Sequence, residues 1–208
     1  MEKLKENPFV SLQKDLATTF LIDKHLKTSP AFKHIAPVEI KLPANPDGRV
    51  PTYQYIPIIE TLAAIDSDPS FIRTRPAPDE MIRDIRDGSV WKKSEFFREN
   101  PEAYTGMLYT DGCEVCNPLG AKKGVHKIVP MYLTLVDMAK PLRSKTENIF
   151  LVMLVYERDM KKHKHTIFKT LIDDLKILEK GLFVNGKFLQ LGLVAYVGDN
   201  LESHYIGK

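Results

Sequence analysis

The sequence predicts an α/β fold in its second half, and three observations carry that prediction. Three apolar, strand-length runs at 106–109, 127–136 and 148–156 are joined by short links. An amphipathic helix follows at 166–180, and a fourth apolar run lies at 189–197. Short links favour an antiparallel meander for the first three strands. The helix then carries the chain to a fourth strand that runs parallel to the third. If this strand lies beside the first, those two are parallel as well.

Three of the four predicted strands have compositions that indicate their position in the sheet. The run at 127–136 is rich in β-forming residues but contains Pro130, which indicates an edge position or a bulge. The run at 148–156 is almost entirely apolar, as expected for a strand that is buried on both faces. The run at 189–197 is similar, so we expect it to be buried too.

The predicted helix has a clear apolar stripe. Its members recur at helical spacing and should face the sheet: Ile167, Leu171, Leu175 and Leu178. Gly181 is a natural C-terminal cap. The basic run at 159–165 precedes the helix and is interpreted as a solvated loop, with phosphate contact as the alternative.

The first half of the chain is less regular. Five prolines between residues 37 and 57 exclude a long helix there. Helical spacing appears at 10–26 and again, in a shorter stretch, at 56–66. We therefore predict an irregular, helical, proline-containing N-terminal region over 1–103 and the α/β domain over 104–208.

Composition limits the cellular compartment and the partners that are expected for the protein. The chain has 208 residues and a net charge of +3, which neither requires nor opposes a nucleic-acid partner. Two cysteines are too few for a disulfide scaffold, and no signal peptide is recognisable. No apolar run approaches the roughly 18 residues of a membrane span. These features predict an intracellular protein, nuclear or cytoplasmic, that is not secreted and has no membrane partner.

Two aspartates stand at the ends of predicted strands. Asp111 follows the first strand and Asp199 follows the fourth. If those strands are neighbours, both carboxylates lie near the C-terminal ends of adjacent strands, where ligands of α/β sheets bind. A divalent cation such as Mg²⁺ would relieve their repulsion. The alternative is that both are ordinary turn residues, because Asp-Gly and Gly-Asp-Asn are common in turns.

A series of short motifs follows Asp111 in a definite order. They are Asn-Pro-Leu-Gly at 117–120, His126-Lys127, Pro-Leu-Arg at 141–143, Leu-Ile-Asp-Asp-Leu-Lys at 171–176 and Gly-Asp-Asn at 198–200. In this order they resemble the core of transposases of the CACTA (En/Spm-like) type and of their animal relatives. The resemblance covers residues 105–204 and is looser at 55–62.

The resemblance implies a ribonuclease H-like catalytic core with a DDE-type acidic triad. It assigns the first acid to Asp111 and the second to Asp199, with Mg²⁺ or Mn²⁺ as the cofactor and DNA as the partner. The third acid is expected on a later helix beyond residue 208, and Glu202 follows Asp199 too closely to replace it. The expectation is therefore a truncated or decayed element whose ribonuclease H-like sheet is incomplete.

Basic residues next to Asp111 in sequence are the candidates for phosphate contact if the metal site is real. They are Lys122, Lys123, His126 and Lys127. The function expected from the resemblance is a transposase-derived protein whose ancestral activity is metal-dependent DNA cleavage and transfer. The alternative is a non-catalytic DNA- or protein-binding remnant, and the missing third acid leaves the question of enzyme activity open.

A single C-x-x-C motif, Cys113 and Cys116, lies in the same segment. A structural zinc site needs four ligands, and Glu114 and His126 are the nearest additions in sequence. The interpretation preferred here is two buried or half-buried thiols, with zinc as the alternative.

Overall fold

The computed structural model describes residues 35–74, 81–114 and 127–198. The helices and strands of these described ranges lie in the compact unit that begins at Pro37. In chain order the described strands are β1 (Val38–Lys41), β2 (Thr52–Tyr55), β3 (Tyr104–Thr110), β4 (Cys113–Glu114), β5 (Lys127–Leu135), β6 (Phe150–Tyr156), β7 (Leu182–Val184), β8 (Lys187–Leu189) and β9 (Leu191–Val197).

Five α-helices and two 3₁₀ turns connect the strands of the described ranges. The helices are α1 (Ile58–Asp66), α2 (Ser89–Lys93), α3 (Glu95–Glu99), α4 (Lys140–Arg143) and α5 (Glu157–Lys180). The 3₁₀ turns are Ile85–Asp87 and Thr146–Asn148. None of these helices is both long and apolar enough to cross a membrane.

The described strands form one mixed sheet of seven strands and a separate β7–β8 hairpin. The order across the large sheet is β1-β2-β6-β5-β3-β9, with β4 paired to β5. β3, β5 and β6 form an antiparallel meander, and β9 pairs in parallel with β3. The predicted α/β arrangement of meander, connecting helix and parallel fourth strand is confirmed.

Pro130 shows how an interior strand can contain proline. β5 is flanked on both sides and is not an edge strand, but its register with β6 shifts between Met131 and Tyr132. On the other side of β5, pairing with β3 ends at Met131 and pairing with β4 starts at Ile128. Pro130 therefore lies where β5 has no ladder partner on that side, so the missing N–H is not needed there.

The sheet extends beyond the predicted domain. The sequence predicts an irregular helical region before residue 104, whereas the structure adds β1 and β2 from that region, and β2 pairs with β6. Tyr53 and Tyr55 of β2 are almost completely buried against α5. The Tyr53 hydroxyl donates to Thr170 Oγ1 at 3.0 Å and the Tyr55 hydroxyl donates to Asp174 Oδ2 at 2.6 Å. Burial, together with the bond to Asp174, raises the pKa of Tyr55 above its ordinary value.

Helix α5 begins nine residues earlier than the sequence predicts. The interpretation of 159–165 as a loop is wrong, because these residues are helical from Glu157, with a kink at His163 (φ −124°, ψ 26°). Lysine is compatible with a helix, and this part of α5 lacks the apolar stripe that made the rest recognisable. Ile167, Leu171 and Leu178 are buried in the core as predicted, while Leu175 is only half-buried at its margin.

Gly181 ends α5, as predicted. Its backbone has φ 82° and ψ 148°, a combination that is accessible essentially only to glycine. Its N–H donates to the carbonyls of Ile177 and Leu178 at 3.0 and 3.2 Å. The chain then enters the β7–β8 hairpin, whose Asn185-Gly186 turn has positive φ at both residues.

Candidate active site

The strands β3, β6 and β9 run in the same direction, so their C-terminal ends lie at the same end of the sheet, which we call the Asp111 end. Tyr109 of β3 is the Cα partner of Val197, the last residue of β9. Asp111 follows Tyr109 by two residues, and Asp199 follows Val197 by two residues in the sequence. Asp199 lies outside the described residues, so the structure tests the placement of Asp111 and the register of the two strands.

The Asp111 carboxylate is exposed directly after β3. Its Oδ2 accepts a hydrogen bond from the Tyr109 hydroxyl at 3.3 Å. The Tyr109 ring stacks with that of Tyr132 on β5, with ring centroids 6.2 Å apart and planes inclined by 22°. Asp111 therefore presents a hard oxygen donor to solvent beside a pair of aromatic rings.

The fit to a divalent cation is partial among the described residues. Carboxylate oxygen is the donor type that Mg²⁺ and Mn²⁺ prefer. No group of three His, Cys, Asp or Glu side chains suited to a metal ion is found in 35–74, 81–114 and 127–198. Asp111 is thus the predicted metal ligand that the structure describes, and the other predicted ligand, Asp199, lies outside the described residues.

The Cys113 thiol is exposed rather than buried, which corrects the expectation for this half of the C-x-x-C motif. Cys113 lies on the two-residue strand β4, opposite Ile128 near the start of β5, and its side chain faces solvent there. Cys116 lies outside the described residues, so the zinc alternative stays a prediction.

Of the predicted phosphate-contact residues, only Lys127 is described. It is the first residue of β5, it is exposed, and it lies opposite Glu114 of β4. Because β5 is antiparallel to β3, Lys127 stands at the Asp111 end. Lys122, Lys123 and His126 lie outside the described residues.

A charged group that the sequence analysis did not identify lies at the same end. Asp159, in the first turn of α5, is only 2% exposed. Its Oδ1 is 3.1 Å from Arg49 Nη2, and its Oδ2 is 3.7 Å from Arg158 Nε. The Arg158 guanidinium also lies 4.8 Å from the centroid of the Tyr156 ring. We refer to Arg49, Arg158 and Asp159 as the arginine fork.

The placement of the arginine fork follows from strand directions. α5 starts where β6 ends, and β6 runs parallel to β3. β2 is antiparallel to β6, so the loop that contains Arg49 and precedes β2 is at the same end. Arg49 and Asp159 are 110 residues apart in sequence. An acid at the third position of a helix is a weak local signal, and nothing in the sequence connects it with Arg49.

A second buried charge cluster occupies the opposite end of the sheet. Asp137, 2% exposed, follows β5 and accepts a bond from the Thr105 N–H at 2.6 Å. Its other oxygen lies 3.1 Å from Arg73 Nη2 and 3.5 Å from Arg86 Nη1. Arg86 also donates to the Thr74 carbonyl and hydroxyl at 2.6 and 2.8 Å. These bonds attach the segment before β3 to the sheet, so we interpret the cluster as structural.

The Asp111 end is therefore the candidate active site, because an exposed acid, a pair of stacked tyrosines and two half-exposed arginines lie there. A scan against protein-family models finds no match to this chain, and a search of the curated proteins finds none either.

Proposed function

We propose that this chain is a transposase-derived protein with a ribonuclease H-like fold, and that its ancestral chemistry is metal-dependent cleavage and transfer of DNA strands. The observation that carries the proposal is the parallel pairing of β3 and β9 beside the meander, with Tyr109 opposite Val197. The strands that carry the two motif aspartates of the transposase-like segment are thereby adjacent and end together.

Asp111 and Asp199 are the proposed metal ligands. Each follows the matched Tyr109–Val197 pair by two residues, and neighbouring strands are ~4.8 Å apart, so the two carboxylates are expected within roughly 4–8 Å of each other. When bound, divalent ions at such a site activate a water as nucleophile and stabilise the leaving oxygen at phosphorus. The Tyr109 hydroxyl orients Asp111, and the Tyr109–Tyr132 pair offers a surface on which a nucleobase can stack.

The alternative is a DNA- or protein-binding protein without catalytic activity. The observation that favours it is that no group of three metal-binding side chains is found among the described residues. DNA binding without strand cleavage distinguishes this alternative from the enzyme.

Calorimetric titration of Mn²⁺ into the full chain tests the proposed site. Mn²⁺ should bind weakly to the wild type, and binding should be lost in Asp111→Asn and in Asp199→Asn. Asp173→Asn is the matched control, because Asp173 is a half-exposed acid on α5 that pairs with Lys169. Indistinguishable titrations of the wild type and Asp111→Asn would eliminate the metal site. Nicking of plasmid DNA that requires Mg²⁺ and Asp111 would establish the enzyme, and its absence would favour the alternative.

A further inference from the structure

We propose that the arginine fork is a phosphate-binding site that holds the DNA backbone beside Asp111. This inference rests on the proposed function in one respect, namely that the phosphate belongs to DNA. The site itself is inferred from three residues whose geometry the structure describes.

The first argument is the contrast in exposure within the group. The Asp159 side chain is 2% exposed, whereas those of Arg49 and Arg158 are 41% and 46% exposed. The acid is therefore inaccessible to a ligand, while both guanidinium groups reach solvent. Two arginines on one carboxylate leave a net positive charge at the surface.

The second argument is the number of donors that remain. A guanidinium group has five N–H donors arranged in a plane. Asp159 engages Nη2 of Arg49 and faces Nε of Arg158, so N–H groups of both side chains remain for a ligand. Phosphate oxygens match such donors in charge and in geometry.

The third argument is that both arginines are already ordered. The Arg158 guanidinium rests on the Tyr156 ring, 4.8 Å from its centroid. The Arg49 guanidinium is held by Asp159 Oδ1 at 3.1 Å. The Arg49 backbone is fixed as well, because its N–H donates to Asp47 Oδ1 at 3.0 Å and its carbonyl accepts from the Asn45 N–H at 2.8 Å. The entropy cost of ordering these side chains is therefore borne by the fold and does not weaken ligand binding.

The position of the fork suits a DNA strand that also reaches Asp111. β5 alone separates β6, which leads into the fork, from β3, which leads into Asp111. Two strand spacings are about 10 Å. A DNA strand whose reacting phosphate lies at Asp111 would thus place a neighbouring phosphate at the fork. Exposed Lys162 lies on the same part of α5.

The test measures binding of a fluorescein-labelled DNA duplex to the full chain, by anisotropy, in EDTA and at several NaCl concentrations. The double variant Arg49→Gln/Arg158→Gln should bind about tenfold more weakly, and the slope of log K against log salt should fall by about one. Lys92→Gln/Lys93→Gln is the matched control. It removes two exposed positive charges from α2, at the other end of the sheet, and should change affinity by less than about twofold.

Two further variants separate the fork from general electrostatics. Asp159→Asn adds positive charge, so charge alone predicts tighter binding, whereas loss of the fork's order predicts weaker binding. Arg49→Lys/Arg158→Lys keeps both charges and loses the planar donors, and it should also bind more weakly, with an unchanged melting temperature. Wild-type affinity in both glutamine and lysine double variants, with folding intact, would overturn the proposal.

Competition identifies the source of the phosphate. Unlabelled DNA should displace the probe far more effectively than inorganic phosphate at equal phosphate concentration. Displacement by phosphatidylserine vesicles that depends on the fork, with DNA affinity independent of it, would contradict the proposal. The Mn²⁺ titration of Arg49→Gln/Arg158→Gln should equal that of the wild type, so failure of the metal site and failure of the fork give different results.

Discussion

At the scale of single residues, buried acids determine how the surface segments attach to the sheet. Asp137 forms ion pairs with both Arg73 and Arg86, and it also accepts a hydrogen bond from the Thr105 N–H. Arg86 is itself 5% exposed, and its Nε has no hydrogen-bond partner in the described structure. Loss of Asp137 would therefore add to the unmet hydrogen-bonding need that the buried Arg86 already has.

Asp137→Asn should be strongly destabilising, by about 3–5 kcal/mol, because it leaves the Arg86 charge buried without its partner. Glu147→Gln is the control, since Glu147 pairs with Lys145 at 3.8 Å and the two side chains are 68% and 51% exposed. That change should stay within about 0.5 kcal/mol. Urea unfolding of both variants gives the comparison, and equal small effects would show that the cluster contributes little.

Arg143, part of the Pro-Leu-Arg motif, has a structural role. Its two terminal nitrogens donate to Asp84 Oδ1 and Oδ2 at 2.8 and 2.6 Å, and Nη2 also donates to the Met138 carbonyl at 2.9 Å. The hydrogen bonds from Arg143 are the main reason why the pKa of Asp84 lies below its ordinary value. The motif residue thus connects α4 to the 3₁₀ turn at Ile85–Asp87.

This lowered pKa of Asp84 predicts a pH dependence of stability. Because the folded pKa is below the unfolded value of about 3.9, ionised Asp84 stabilises the fold fully above that value, and the contribution is lost as pH falls through the folded pKa. The difference in unfolding free energy between the wild type and Asp84→Asn should thus be largest near neutral pH and shrink below about pH 4. Urea titrations of both proteins across this range provide the measurement, and a constant difference would contradict the assignment.

At the scale of elements, local pattern predicts the meander and α5, and non-local pairing explains what it misses. β3, β5 and β6 are contiguous apolar runs, so their signal lies within each strand. β1 and β2 have four residues each, and β2 alternates buried tyrosines with polar residues between Pro51 and Pro57. Nothing local distinguishes such a segment from a loop until β6 and α5 are in place.

The candidate site also combines a feature that local sequence pattern predicts with one that depends on non-local contacts. Connection rules predict the direction of the strand that precedes Asp199, whereas its pairing with the strand that precedes Asp111 was only conditional in the sequence and is supplied by the structure. The arginine fork depends on a contact across 110 residues, and the basic run that includes Asp159 has the composition of a solvated loop. Its role becomes visible only when the fold brings the loop before β2 onto the start of α5.

The stripe of α5 allows a graded test of packing. Leu171 is 1% exposed in the core, whereas Leu175 is half-buried at its margin. Leu171→Asp should cost on the order of 3 kcal/mol or more, because it buries an unpaired charge. Leu175→Asp should cost less, because the carboxylate can reach water. Guanidinium unfolding midpoints rank the two, and an equal or reversed order would show that the face of α5 is misassigned.

At the scale of the whole molecule, the sheet joins segments that lie on both sides of residue 104. β2 pairs with β6, and the hydroxyls of Tyr53 and Tyr55 bond to α5. Arg73 and Arg86, which also precede β3, bond to Asp137 at the end of β5. Removal of the segment before residue 104 would expose the edge of β6 and leave Asp137 without its cations.

We therefore expect a fragment of residues 104–208 not to fold cooperatively, whereas residues 37–208 should show a single unfolding transition. The longer fragment retains β1, β2 and both arginines, so it keeps the pairing of β6 and the neutralisation of Asp137. Circular dichroism during urea unfolding, with near-ultraviolet signal as the probe of packing, distinguishes the two. Tyr55→Phe in the full chain is the milder control. It removes one hydrogen bond to Asp174 and should cost about 1–3 kcal/mol while the transition stays cooperative. A cooperative transition of 104–208 at wild-type stability would show that β1 and β2 are an addition to a self-sufficient domain.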